Sequence, residues 1–293
     1  MLYTNCLFRP NPEEGTITLH PGDEFDREMD LQRYAWSKVN RIYLEADDIF
    51  AADTDALVKL GESIKDKFPE CKVISAYARI PELQKKSLDD LILLHELYFD
   101  EINVGVESGL DLVLMIFQKG YTVADAKEQL QKLEEAGMRY SLNLVLGGLG
   151  NGDYEEASKA NAEFLNEFQP YKFYTASVYA DEGSQYYDLI HNDDFEFTEN
   201  TFGKLMSEEI DFLSKLDLKN TDFDGTHLSN PIPLAGHLPD DKEDLIYALE
   251  EMRKLFPLDF LHALPTRGTD GCILVPEELG KKIAAAFGED VEE

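Results

Sequence analysis

Five stretches of the chain end an apolar run in side chains that can do chemistry. They are Glu45-Ala46-Asp47-Asp48, Tyr77-Ala78-Arg79, Glu107-Ser108-Gly109, Gly147-Gly148-Leu149-Gly150-Asn151-Gly152 and Tyr179-Ala180-Asp181. Carboxylates accept hydrogen bonds from hydroxyl and ammonium groups, and arginine clamps anions. Glu107, in EINVGVESGLD, ends a strand-like run whose alternate residues are apolar. A carboxylate there is costly unless something pairs with it. Its donors are expected from a ligand, from Arg79, or from the amides of a helix opening at Ser108-Gly109. Singly, each stretch has an ordinary reading. Asp47 or Asp48 caps the next helix, Arg79 pairs with a neighbouring carboxylate, and the glycine run is a loop. Together they predict a pocket. Asp48, Tyr77, Arg79, Glu107 and His227 (in THLSNP) are the candidate acids, bases and clamps of a catalytic reading. His20 is expected near the same pocket, and His95 on a helix face. No H-E-x-x-H spacing argues for a metal.

The elements that must position these residues alternate. Strands are predicted over Thr16–Leu19, Arg41–Glu45, Lys72–Tyr77, Ile102–Val106, Ser141–Leu146 and Phe173–Val178. Helical patterns lie between them: one capped near Asp53 or Thr54, one from Ser87, one from Thr122 to a terminating Gly137, and YEEASKANAEFLNEF. This alternation implies right-handed βαβ units and a parallel sheet, either doubly wound or an incomplete barrel. In both, ligands sit at the carboxyl ends of the strands. The pattern divides the chain into residues 1–185 and a mainly helical extension, 186–293. The extension has helices over Glu199–Leu216 and Lys242–Leu255, a turn-rich piece between them, and an uncertain tail after Phe256.

The 293 residues carry 27 basic and 59 acidic side chains, a net charge of −32. Such a surface repels phosphate backbones and anionic lipid, so neither nucleic acid nor membrane is an expected partner. No apolar run reaches membrane-spanning length and the first residues carry no signal pattern, so the expected location is the cytoplasm. Cys6, Cys71 and Cys272 are scattered, without C-x-x-C spacing, and suggest neither a disulfide framework nor a zinc site.

The chain resembles the radical SAM superfamily, within it a bacterial coproporphyrinogen-oxidase-like group. The resemblance rests on MLYTNCLFRP, RIYLEADDIF, ISAYARIPEL with KKS, INVGVESGLD, QKGYT, LEEAGM, LVLGGLGNG, LDLKNTDF and THLSNPIPLAGHLP with DDK. It covers Met1 to about Leu255. It implies a partial (β/α)6 TIM-like barrel with S-adenosylmethionine at its mouth. By that resemblance Asp48 meets the ligand's amino group, Glu107 and Ser108 its ribose or amino-acid part, and Leu146, Gly147 and Gly148 its adenine. The superfamily also carries C-x-x-x-C-x-x-C after its first strand, holding a 4Fe–4S cluster. Here TITLH runs directly into PGDEFDREMDLQRYAWSKVNRIYL, with no cysteine between Cys6 and Cys71. Neither His20, Asp23 nor Glu24 replaces thiolates without changing the cluster chemistry. The implied protein is a degenerate member without a cluster. It keeps a pocket for S-adenosylmethionine, a related nucleoside or another small ligand, or it assists a catalytic partner. The alternatives are a cluster-free enzyme using carboxylates or histidine at the same mouth, a radical SAM enzyme with unrecognised cluster ligands, and a purely structural protein. The pocket is expected to be open, or covered by a Gly22–Trp36 helix or the tail.

Overall fold

The computed structural model describes residues 15–35, 38–46, 48–150, 152–192, 198–268 and 272–286. Cys6, Trp36, Asp47, Asn151 and the segment MLYTNCLFRP lie outside them. Strands and helices alternate as β1 (Thr16–Leu19), α1 (Phe25–Ala35), β2 (Arg41–Leu44), α2 (Thr54–Lys67), β3 (Val73–Arg79), α3 (Ile80–Leu83), α4 (Leu88–Glu96) and β4 (Ile102–Glu107). There follow α5 (Asp111–Ile116), α6 (Val123–Glu135), β5 (Tyr140–Leu146), α7 (Tyr154–Phe168) and β6 (Lys172–Ser177). The rest forms α8 (Gln185–Ile190), α9 (Phe202–Lys215), β7 (Thr221–Gly225), β8 (Leu234–Leu238), α10 (Lys242–Leu255), α11 (Leu258–Leu261) and α12 (Glu277–Ala286).

The strands lie in one sheet in sequence order, β1 to β8. The pairs β1–β2, β2–β3, β3–β4 and β6–β7 are parallel, with Thr16 opposite Arg41, Arg41 opposite Val73 and Tyr77 opposite Asn103. β8 runs antiparallel to β7. This is the expected α/β class with a mainly parallel sheet. Two strands were not anticipated. β7 and β8 fall in the piece read as turn-rich, because TDFDG and LAGHL carry too few apolar residues to register as strands. Main-chain pairing with β6 orders them instead. The segment after residue 185 is mainly helical, as expected, with these two strands added.

Close packing sorts the chain into two units, one of Met1–Val106 with Ala124–Leu142, the other of Glu107–Val123 with Asn143–Glu293. In the first, Ile17, Leu19, Ile42, Leu44, Ile74, Ala76 and Val104 are fully buried strand residues, covered by Leu57, Ile64, Leu91 and Leu130 of the helices. Strands covered on both faces read as near-continuous apolar runs, as VISAYA does. Local signals place the helices. Ser87 accepts from the Asp90 amide while Asp90 accepts from the Ser87 amide, a reciprocal cap that opens α4. Gly137, at φ +79°, closes α6 with amide bonds from Gly137 to Glu134 and from Met138 to Leu133, the Schellman pattern that glycine favours. In the second unit, Phe173 stacks on Phe223 at 5.1 Å and meets Phe212 edge-on at 5.9 Å. No helix among the described residues is long and apolar enough to cross a membrane.

Candidate ligand site at the strand ends

In the first unit Asp48 follows β2 and sits at the start of a 3-10 turn, Ile49–Ala51, yet its side chain makes no capping bond. Its Oδ2 accepts from Arg79 Nε at 2.7 Å. Its Oδ1 is buried with no hydrogen-bond partner, an acceptor one donor short. Arg79 also reaches Glu82 at 3.3 Å, and Lys85 pairs with the same Glu82. The Asp48 hydrogen bond holds the Arg79 pKa above its ordinary value. Arg79 is therefore spent on Asp48 and Glu82. Tyr77 is half-buried, two residues before it on β3. His20, after β1, bonds Glu28 Oε1 at 2.7 Å and lies 3.3 Å from Glu45. Those carboxylates, Glu28 first, raise its pKa. His95 Nδ1 lies 3.4 Å from the Phe99 carbonyl.

In the second unit Glu107 ends β4 at φ +69°. This left-handed conformation is costly for a residue with a Cβ, by about 1 kcal/mol or more. Of the donors expected from the chain, Arg79 bonds Asp48 and Glu82. Lys119 serves Glu107, with Nζ 2.8 Å from Oε1. The amides of the following helix are satisfied elsewhere. Ser108 Oγ accepts from the Leu110 amide at 3.2 Å and donates to Asn161 Oδ1 at 2.9 Å, and the Gly109 amide donates to the same Oδ1 at 2.7 Å. Ser108 is fully buried, so its hydroxyl ties the turn after Glu107 to α7. Gly109 permits that approach, since a Cβ there would stand 2.4 Å from the Ala160 carbonyl oxygen.

Beside Glu107 lies a cavity of about 290 Å³ lined by Glu107, Lys119, Phe117, Val145, Val178 and Tyr186, among others. Phe117 and Tyr186 meet edge-on at 5.6 Å. Behind them Val113, Ile116, Leu149 and Ala157 form an apolar cluster. One ion pair among aromatic and aliphatic walls is a common makeup for a small-molecule site.

The glycine turn after β5 faces a second cavity. The Leu146 carbonyl accepts from the Val178 amide at 2.9 Å, and the Gly147 carbonyl from Gly150 at 2.9 Å. The Gly147 amide donates to both oxygens of Glu208, each at 3.0 Å. Gly147 has φ +82°, and a Cβ would come within 2.7 Å of Leu205 Cδ2. A Cβ on Gly148 would come within 2.6 Å of Val113 Cγ1. Both glycines are thus needed for helices to close on the turn. Burial raises the Glu208 pKa to about 7, although the Gly147 amide opposes the rise. Burial, then the nearby Glu208, raises Glu209 to about 8. Both Glu209 oxygens are buried without a partner. The second cavity, about 150 Å³, is lined by Gly147, Tyr179, Asp181, Glu199, Asn200 and Arg267 among others, and shares Val178 and Tyr186 with the first. His227 does not line either cavity. Its Nδ1 sits 2.7 Å from Ser229 Oγ, and burial, then the Arg267 charge, lowers its pKa.

Superposition on solved structures places this fold. The N-terminally truncated Elp3 of the archaeon Methanocaldococcus infernus aligns at TM-score 0.52 and 15% identity, over 83% of this chain and 63% of that one. The chain shares the fold of that protein. Coproporphyrinogen III oxidase (HemN) of Escherichia coli, a radical SAM enzyme, aligns at TM-score 0.46 and 13% identity, over 58% of this chain and 45% of that one. The chain thus spans less than two thirds of either protein's length. No protein-family model matches the sequence, and no curated protein does.

Among the described residues no three His, Cys, Asp or Glu side chains are grouped to hold a metal ion. Cys71 precedes β3, at the strand's opposite end from Arg79, and burial pushes its thiol up to about 11. A thiol held protonated is a poor ligand. In the first unit Asp48 Oδ1 is an acceptor without a hydrogen-bond partner, and in the second Glu107 lines an aromatic-walled cavity.

Lys119, Asn200, Glu208, Glu209 and Arg267 were not anticipated from sequence. Lys119 stands in the quoted QKGYT without an assigned role. Glu209 left a clearer signal. It falls in the apolar stripe Phe202, Leu205, Met206, Phe212, Leu213, where helical spacing demands a core residue.

Proposed function

We propose that this chain is a ligand-binding protein built on the radical SAM fold, without radical chemistry, whose second unit holds S-adenosylmethionine or a related nucleoside beside Glu107. The observation that carries the proposal is the connection from β1 to α1. It consists of five residues, His20 to Glu24, and contains no cysteine. The thiolates the resemblance requires at that place have no positions to occupy. The Glu107 cavity supports the nucleoside half of the reading. A flat base suits Phe117 and Tyr186, and ribose hydroxyls suit the Glu107 carboxylate, which Lys119 pairs at 2.8 Å. When bound, such a ligand would supply a sulfonium centre; the chain would supply orientation and shielding from water. A supporting role beside a catalytic partner protein is compatible with the same site.

Thermal-shift titrations with S-adenosylmethionine, S-adenosylhomocysteine and adenosine test the proposal. At least one should raise the melting temperature saturably. Glu107→Gln should weaken that ligand about ten-fold or more, from loss of about 1.5–3 kcal/mol of charge-assisted hydrogen bonding. A wild-type protein that responds to none of the three removes the nucleoside reading. Anaerobic reconstitution with iron and sulfide should leave the protein colourless. Incorporation of about four irons per chain, with a broad absorbance lost on reduction, would overturn the cluster-free reading.

A second reading, a cluster-free enzyme, draws on Glu208 and Glu209, whose raised pKa values would suit proton transfer near neutral pH. Turnover of the bound ligand, abolished by Glu208→Gln, would favour it.

A further inference from the structure

The cavity after β6 is distinct from the Glu107 cavity in its chemistry. It brings a cation, two carboxylates and a neutral amide to about 150 Å³ of space, the room of about five water molecules in the liquid. Arg267 pairs with Asp181, and its guanidinium lies 5.0 Å from the centre of the Tyr179 ring. Tyr179 is itself fixed, its hydroxyl donating to the Ser229 carbonyl at 2.5 Å. Glu199 lines the same wall.

Asn200 decides the reading. It is only 6% exposed, it lines this cavity, and neither Oδ1 nor Nδ2 has a hydrogen-bond partner. Leaving a buried amide unmade on both edges is costly, and each such group calls for a partner. Its backbone is held in place, because Thr201 caps α9 by accepting from the Lys204 amide at 3.3 Å. Gly147 leaves room for the Asn200 amide, whose Nδ2 stands 3.3 Å from where a Cβ would be.

A purely anionic ligand would satisfy Arg267 and Asn200 Nδ2 but meet two carboxylates. A purely cationic one would satisfy Asp181, Glu199 and Asn200 Oδ1 but meet the guanidinium. A small zwitterion serves both signs: its carboxylate takes Arg267 and Asn200 Nδ2, and its ammonium takes Asp181 or Glu199 with Asn200 Oδ1. The existing Arg267–Asp181 pair then opens by exchange of partners: the guanidinium and one carboxylate take the ligand's charges, and the other carboxylate, the exposed Asp181 or the part-exposed Glu199, keeps its contact with solvent. We propose that this cavity is a binding site for an α-amino acid group, recognised by Asn200 and Arg267, separate from the nucleoside position beside Glu107. The proposal does not depend on a nucleoside binding there.

The test is calorimetric and thermal-shift titration of the full chain with each standard L-amino acid, with propionate and propylamine as single-charge controls. At least one amino acid should raise the melting temperature saturably, and neither control should match it. Asn200→Leu and Arg267→Met should each weaken that amino acid ten-fold or more. Asn200→Leu should melt, without ligand, no lower than wild type, because it removes an unsatisfied amide. Arg267→Met serves as the second variant, with a cooperative melt as the check on folding. No response to any amino acid, an equal response to propionate alone, or a response unchanged in both variants overturns the proposal. An amino-acid response without a nucleoside response leaves this site standing and removes only the nucleoside reading. A response to adenosine alone does the reverse.

Discussion

Glu209→Gln should change how the stability of the protein depends on pH. Glu209 lies on α9, 1% exposed, with neither oxygen hydrogen-bonded. Burial and the neighbouring Glu208 raise its pKa from 4.5 to about 8. The folded state therefore binds this proton more tightly than the unfolded state. The resulting stabilisation is fully present below pH 4.5 and is lost as pH rises to about 8. Each pKa step is worth about 1.4 kcal/mol, so the whole change amounts to about 5 kcal/mol. Glutamine does not ionise and cannot suffer the loss. It adds an amide donor to the same dry site, but that cost is the same at every pH. The difference in stability between Glu209→Gln and wild type should thus be flat below pH 4.5. It should then grow in favour of the variant to about 5 kcal/mol near pH 8. Urea unfolding at intervals from pH 4 to 9 measures it, each variant compared with wild type at the same pH so that the general repulsion of an acidic surface cancels. Glu208→Gln should show a smaller rise that ends near pH 7. Parallel wild-type and Glu209→Gln curves over this range would refute the argument.

Three further outcomes follow from local geometry. Gly109→Ala should destabilise by about 2 kcal/mol or more, because its Cβ would stand 2.4 Å from the Ala160 backbone and α7 must shift to admit it; denaturant midpoints with an unchanged slope would measure this. Ser87→Ala should cost about 1 kcal/mol through loss of the reciprocal cap on α4, and a change below about 0.3 kcal/mol would show the cap to be idle. Cys71, buried and pushed up to about 11, should resist a thiol reagent at pH 8 that modifies the part-exposed Cys272; peptide mapping of the labelled protein shows which thiol reacts first.

The strands of the first unit and their partner helices were legible because each carries its own signal. ISAY and INVGV are apolar runs that only a sheet covered on both faces needs, and Ser87 and Gly137 mark helix ends by their own chemistry. β7 and β8 were not legible. TDFDG owes its extended form to hydrogen bonds with a strand some fifty residues away, with Lys172 opposite Asp222, and nothing in five residues of mixed polarity announces that.

The site shows the same division more sharply. Sequence located the carboxylate ends of the strands, since a polar residue after an apolar run stands out on its own. It could not locate their partners, which are properties of folded geometry. Glu107 and Arg79 look complementary on paper, yet Arg79 goes to Asp48, and Lys119, twelve residues after Glu107, brings the charge that Glu107 needs. Ser108, read by resemblance as a ligand contact, spends its hydroxyl on Asn161 instead, and the Gly147 amide goes to Glu208. The polar groups left over are different ones: Asp48 Oδ1, both edges of Asn200 and both oxygens of Glu209. A folded chain satisfies nearly every buried polar atom it can, so those it leaves unsatisfied are the better guide to what it is built to receive. Here they lie on residues of both kinds, Asp48 named in advance and Asn200 found only once α9 was seen to bring it against the Gly147 turn.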